Sequence, residues 1–330
     1  MKQSERFVDW VARPRLVFRK FRITVLTKDC AGRPLADNPR LLLESVGPSV
    51  RALRVLGQPV ETSQARITFR EGCIRYVVSS DMRSYVDIEG AFPTYLKKLS
   101  AKTRTETGRK VRRFIEVNGV FPSCREFRRP EDIIEFHQLA CQVSGRTYQS
   151  QLLGMGIDPS SNFRDELSKA ASADAFRGYI LFYRGTPIAF NYALATDDIL
   201  IGAKMGYDPD FAQHRPGTVL FFLMLERLFS GDRFRRLDFD SGSWDYKVRY
   251  ATGAYQAADV YYLRLNVTDL TLVCIHATVR GVFNASLMPF RIVLNQLGIK
   301  GQRKRALQAQ IKRLRLFPAS FGRGLRRWTT

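Results

Sequence analysis

The sequence predicts a mixed α/β fold, an α+β arrangement with a mostly antiparallel sheet flanked by helices. Three observations carry that reading. First, three segments rich in aromatic and β-branched residues follow one another at 176–184, 188–195 and 199–206, broken by Gly185-Thr186-Pro187 and by Asp197-Asp198. Second, a polar loop from Tyr207 to Thr218 runs into a strongly apolar helix at 219–229. Third, a short strand at 236–239 breaks at Ser241-Gly242-Ser243 and restarts as a helix-like segment with Asp245 near its cap.

Each element has a local reason. Pro216 fits a first helical turn, where its missing N–H is not needed. Gly217 lets a ligand approach the backbone, and the N–H groups of a helix start attract phosphate. Arg215 adds a fixed positive charge there, and His214 borders the same loop. The segment after the short strand gathers Asp238, Asp240, Tyr246, Lys247 and Tyr250 at a strand's carboxyl end. Open α/β sheets place their chemistry at such ends.

The first part of the chain is less regular. Residues 1–35 form a basic arm with a short strand at 23–26, and a helix is expected around 48–56. Strands at 66–69 and 73–79 flank Glu71-Gly72. A basic helix spans 96–117 and ends at Asn118-Gly119, and another follows Pro130 over 131–144. The basic helix divides evenly between a solvated surface face and a device that captures anions.

Composition narrows the function. The 330 residues carry a formal net charge of +22, which favours anionic partners such as phosphate-bearing cofactors, acidic lipid or nucleic acid. The five cysteines form no C-x-x-C pair, which argues against a zinc ribbon or a disulfide framework and for reduced thiols. The three histidines have no metal-ligand spacing, so no metal is expected. Charges recur from Lys2 onward, so no secretory signal is expected. No segment reaches the ~18 uninterrupted apolar residues of a membrane span. After Asp269 there is no acidic residue, and Leu307, Ile311 and Leu314 form an apolar stripe among cations. That tail fits a helix lying on anionic lipid better than one docked on the protein body.

The order of Arg215-Pro216-Gly217-Thr218, Leu237-Asp238-Phe239-Asp240 and Asp245-Tyr246-Lys247 resembles the GNAT acyltransferase superfamily. Within it the chain is most similar to the CelD-type branch linked to cellulose and envelope polysaccharide synthesis, and to the related FemAB transferases. The resemblance runs from about residue 95 to about residue 265 and includes Ser144-Gly145-Arg146-Thr147-Tyr148-Gln149. It departs in two places: the glycine-rich pyrophosphate loop of small GNAT enzymes is absent, and Ala251 follows Tyr250 where a glycine is common.

The resemblance implies two tandem GNAT-like halves, a degenerate one at 36–129 and a catalytic one at 130–267, with a basic helical tail at 268–330. It implies acyl-CoA as donor, held at its pyrophosphate by Arg215, Gly217 and Thr218. Asp240 is the candidate base, and Asp238 is the alternative, since strand alternation puts both on one side. Tyr246 is the candidate acid, with Tyr250 as runner-up. Lys247 is expected to stabilise the oxyanion or to pair with a phosphate. Arg146 and Tyr148 line the acceptor side by resemblance alone. The acceptor is an amine of an envelope component, an amino sugar or a lipid, at the cytoplasmic face of the membrane. The alternatives are an aminoacyl-tRNA donor, as in FemAB proteins, and a non-catalytic scaffold.

Overall fold

The computed structural model of the chain describes residues 25–30, 32–35, 38–45, 47–61, 65–119, 123–147, 150, 156–231, 233–240, 245–278 and 280–281. Most of the basic arm, Tyr148 and the tail stripe of Leu307, Ile311 and Leu314 lie outside these residues. Two units separate. One gathers the described residues up to Met82 together with those from Tyr255 onward, and the other runs from Arg83 to Ala254. These bounds differ from the sequence-derived segments 36–129 and 130–267, because the first unit is built from both ends of the chain.

In the first unit, β1 (Val25–Asp29) pairs in parallel with β2 (Ala52–Pro59). The strand β10 (Gly253–Arg264) runs antiparallel to β2, with Val260 opposite Val55. The hairpin of β3 (Ile67–Arg70) and β4 (Cys73–Asp87) turns at Glu71-Gly72, both with positive φ, as the sequence predicts. The helix expected around 48–56 is instead β2, preceded by the short helix α1 (Pro39–Ser45). Its two edges are paired by β1 and β10, and Leu53 and Val55 are fully buried. Ladder bonds and cross-strand packing override the local helical pattern. The guanidinium of Arg264 donates to the carbonyls of Val50, Leu43 and Gly47 at 2.7 to 2.9 Å, which closes the loop after α1.

A helix over 267–278 follows β10 and buries Leu272 and Val273 against Ile74 and Leu263. Its N-terminal Asp269 takes a hydrogen bond from Arg51 at 2.5 Å. Two turns further on, His276 Nδ1 meets the Tyr76 hydroxyl at 2.7 Å, with the rings edge to face.

The second unit is a meander with helices on both faces. The strands β5 (Cys124–Phe127), β6 (Phe176–Tyr183), β7 (Thr186–Thr196) and β8 (Ile199–Tyr207) pair antiparallel in that order. The three-residue β9 (Arg236–Asp238) joins β8 in parallel and the end of β4 antiparallel. Alternation divides the core. Phe176, Ile180, Phe190 and Tyr192 face the helices α4 (Ile133–Arg146) and α5 (Ser161–Ser172). Tyr179, Leu181 and Leu200 face α2 (Phe92–Lys98), α3 (Ala101–Asn118) and α6 (Pro216–Phe229). Gly178 allows a close helix–sheet approach: a Cβ there would come within 2.7 Å of the Phe136 ring.

The basic helix expected over 96–117 is two helices. Leu99 is extended, and the Ser100 hydroxyl accepts from the Thr103 N–H at 3.2 Å, which starts α3 afresh as an N-cap. Gly119, with φ 65°, ends α3 as Asn118-Gly119 predicts. Pro216 opens α6, which buries Val219, Leu220, Met224 and Leu225.

His276 generates a prediction. Burial, then Arg280, lowers its pKa from 6.5 to about 4. The folded state therefore binds this proton less readily than the unfolded state, so stability falls as pH drops from 6.5 towards 4. The loss amounts to up to about 3 kcal/mol. Urea titrations between pH 7 and pH 4 should show a smaller decline in His276→Gln than in the parent. Equal slopes would show that His276 is not the titrating group.

Candidate functional site

The site is built where β9 ends. Beyond the pair Ile201–Asp238 the parallel ladder stops, yet β8 runs on to Tyr207 while β9 has ended. Two adjoining strands thus part company after three paired residues. A β-bulge marks the same place on β8. Tyr192 pairs with Lys204 and Ala193 with Gly202, so Ala203 is the extra residue that the β7 ladder skips, and it is exposed. Bulges re-aim the backbone and are common beside active sites. The strands are still close at Gly202, where a Cβ would make an ordinary 3.5 Å contact with the Asp238 carbonyl.

Four charged side chains converge at the end of β9. Asp238 is fully buried, and its Oδ1 accepts from the Asp240 N–H at 2.7 Å. Arg83, on β4, is buried too. Its Nη1 lies 3.8 Å from Asp238 Oδ2, and its Nη2 lies 2.8 Å from Asp240 Oδ1. Lys247, on the short helix α7 (Asp245–Tyr250), is buried, and its Nζ donates to the Phe239 carbonyl at 2.5 Å and the Asp240 carbonyl at 3.1 Å. Burial lowers the Lys247 pKa, against the pull of Asp240 and Asp238 and with the push of Arg83.

The two aspartates do not stay equivalent. Asp240 adopts a left-handed backbone, φ 60°, so strand alternation ends at Asp238. The chain turns there, burying the Asp238 carboxylate and leaving the Asp240 side chain 43% exposed. Asp238 organises the turn; Asp240 faces outward from it. Left-handed conformations cost a non-glycine residue about 1–2 kcal/mol, least for Asp and Asn. Glu71, Arg184 and Asp197 adopt it in hairpin turns, but Asp240 and Arg215 adopt it at the two ends of the site.

Arg215 is the N-cap of α6, with φ 54°. Its carbonyl accepts from the N–H groups of both Thr218 and Val219, at 3.0 and 3.1 Å. Pro216 has no N–H, so Gly217 supplies the one first-turn donor that neither bond uses. A Cβ at Gly217 would meet the Tyr207 ring at an ordinary 3.6 Å. His214 does not sit in this turn. It stacks on Tyr183 with centroids 4.5 Å apart and packs edge-on to Phe114.

The remaining expected residues separate. Arg146, at the end of α4, donates to Asp208 at 3.0 Å, and Asp208 caps the turn Pro209–His214 through the Asp210 N–H. Arg146 thus braces the loop that leads to α6. Tyr148 and the side chain of Tyr246 lie outside the described residues; the backbone of Tyr246 lies in α7, next to Lys247. Tyr250, the runner-up acid, is buried. Its hydroxyl bonds Thr107 at 2.6 Å and its carbonyl accepts from the Tyr95 hydroxyl at 2.7 Å, so it ties α7 to α2 and α3. Burial raises its pKa. Arg83 was not among the expected residues. It lies in the part of β4 beyond the strand expected at 73–79, where no local pattern marks it. Among the described residues, no group of three or more His, Cys, Asp or Glu is placed to hold a metal ion.

Comparison with known proteins follows the same elements. Residues 101–248 match the family described as "Acetyltransferase (GNAT) domain", a span from the start of α3 into α7. No curated protein matches the chain. Among solved structures, FemX is similar at 12% identity, covering 76% of this chain and 83% of its own, with a TM-score of 0.49. The C-terminal domain (DUF2156) of a putative lysylphosphatidylglycerol synthetase from Agrobacterium fabrum is similar at 12% identity, covering 73% of this chain and 76% of its own, with a TM-score of 0.46. L-PGS from Bacillus licheniformis is similar at 14% identity, covering 73% and 78%, with a TM-score of 0.44. The meander β5 to β8, the parallel β9 and the apolar α6 between them fall inside the matched span, which ends within the short α7, and residues 101–248 of this chain match a GNAT acetyltransferase domain.

Proposed function

We propose that this GNAT domain transfers an acyl group from acyl-CoA to an amine of an envelope component, an amino sugar or a lipid amine, at an anionic membrane surface on the cytoplasmic side. The observation that carries the reading is the fork between β8 and β9, with a bulge on one arm and an outward-facing carboxylate on the other. An extended, amide-bearing chain such as a pantetheine arm fits between two parted strands because their edges supply backbone donors and acceptors. Its thioester would then lie between Ala203 and Asp240.

The chemistry follows. The neutral amine attacks the thioester carbonyl, and Asp240 accepts its proton. The oxyanion needs a preorganised donor, and the backbone of Ala203, which the β7 ladder skips, is the candidate. The C–S bond breaks, and the CoA thiolate takes a proton from the Tyr246 phenol, a role carried by sequence resemblance. Asp238, the alternative base, is fully buried and holds the Asp240 N–H, whereas Asp240, although paired with Arg83, is open to solvent, so Asp240 is favoured. Lys247 acts here as a positioning residue, because its amine is aimed at the two carbonyls of the turn. Arg215, Gly217 and Thr218 remain the pyrophosphate candidates, with His214 stacked behind them.

Among the described residues no helix is long and apolar enough to cross a membrane. Support for the membrane surface comes from the tail, which lacks any acid after Asp269. The net charge of +22 favours a second reading, an aminoacyl-tRNA donor. Parallel assays with acyl-CoA and with charged tRNA distinguish the two: the first reading requires turnover with acyl-CoA alone.

Three outcomes follow. Asp240→Asn should lower turnover by about 10²–10⁴ while acyl-CoA affinity stays near parental; unchanged turnover in steady-state assays would remove Asp240 as the base. Lys247→Ala should remove the amine that the Phe239 and Asp240 carbonyls accept from and lower stability by about 1–3 kcal/mol in denaturant titrations, with a loss of turnover. A stable variant with parental turnover would contradict the positioning role. Deleting residues 300–330 should release the protein from anionic vesicles at low salt and leave acyl-CoA binding intact. Equal sedimentation of both forms would show that the tail does not carry the contact.

A further inference from the structure

A groove lies beside the start of α6, and of its lining only His214 and Arg215 have a role above. One face of α3 presents Arg109, Lys110 and Arg113 towards Gln213, His214 and Arg215, enclosing about 440 Å³ over a floor of Phe114 and Val117. The spacing explains the face: Val111 and Phe114 are buried against the rest of the unit, which turns residues 109, 110 and 113 to the groove side. His214 is fixed by its stack on Tyr183 and its edge contact to Phe114, so the groove has one wall held by aromatic packing.

Among the described residues no carboxylate lines the groove. Glu106, one turn before Lys110, approaches Lys110 Nζ to 3.9 Å and also approaches Arg249, so it answers only part of the charge. Three arginines and a lysine around one concavity repel one another unless an anion joins them. The first turn of α6 leaves a single N–H outside its own hydrogen bonds, which is too little for a pyrophosphate and a further phosphate together. Arg215 belongs to both places: it caps α6 and lines the groove.

We propose that this groove is the subsite for the 3′-phosphate at the nucleotide end of the acyl donor, with Arg109 and Arg113 as its ligands and Arg215 shared with the pyrophosphate. The assignment rests on the acyl-CoA reading and adds a site that the helix start alone does not supply. The groove volume lies within the ~300–1,000 Å³ of small-molecule sites.

Calorimetric titration of the full chain with CoA and with dephospho-CoA tests it. The parent should bind CoA roughly tenfold or more tighter than dephospho-CoA, the worth of a charge-assisted contact. Arg109→Ala/Arg113→Ala should bind both at the dephospho-CoA level, and Arg113→Lys, which keeps the charge, should retain part of the preference. Both arginines are exposed, so the variants leave the core untouched. Equal affinity of the parent for the two ligands, or an undiminished preference in the double variant, would overturn the subsite while leaving the acyl-CoA reading standing. If the parent binds neither ligand, the acyl-CoA reading has failed and the subsite falls with it. If the double variant loses binding to a short RNA but keeps its preference for CoA, the groove belongs to RNA instead.

Discussion

The buried guanidinium of Arg83 is the contact on which the rest of the site depends. It reaches both aspartates from a neighbouring strand, one fully buried and one outward-facing. A buried carboxylate such as Asp238 is costly without a partner, and removing one member of such a pair costs about 3–5 kcal/mol. With Arg83 in place, Asp238 can hold the Asp240 N–H, Asp240 can adopt its left-handed backbone, and Lys247 can reach the two carbonyls that the turn exposes. The cluster holds two cations and two carboxylates, so its charge is balanced. The lowered Lys247 pKa shows that desolvation outweighs the aspartates' attraction at that amine.

The turn also explains why β9 is so short. Its three residues satisfy one edge against β4 and the other against β8, and then the left-handed residue ends the ladder. The bulge at Ala203 answers it on the other arm. A fork in a sheet exposes backbone groups that would otherwise be paired, and such a fork persists only where surrounding structure fixes it. The polar cluster around Arg83 supplies that constraint. On the proposed reading, the exposed edges are what a donor's amide-bearing arm would pair with.

Much of this was legible in the sequence where a pattern had one physical meaning. The meander at 176–206 alternates around clear turns, and Pro216 announces α6; both appear where expected. The 48–56 segment misled because its partners, β1 and β10, are far away in sequence, and pairing at both edges decided its form. The helix over 96–117 hid a cap, since a serine inside a basic run looks like surface until its hydroxyl is seen to accept from Thr103. At the site, the sequence grouped Asp238, Asp240 and Lys247 because they are close in the chain. It could not rank the aspartates, because alternation assumes a straight strand and Asp240 is not in one. Arg83 was out of reach for a different reason: it lies 155 positions before Asp238, and only the fold brings them together.

The central claim is that the donor's acyl group lies in the fork between β8 and β9. Photo-crosslinking with a diazirine-bearing acyl-CoA, mapped by peptide mass spectrometry, tests it most directly. The account predicts labels within residues 202–207 and 239–250, suppressed by excess unlabelled acyl-CoA. Competed labelling confined to α4 and α5, or to the unit that contains β1 and β2, would contradict it.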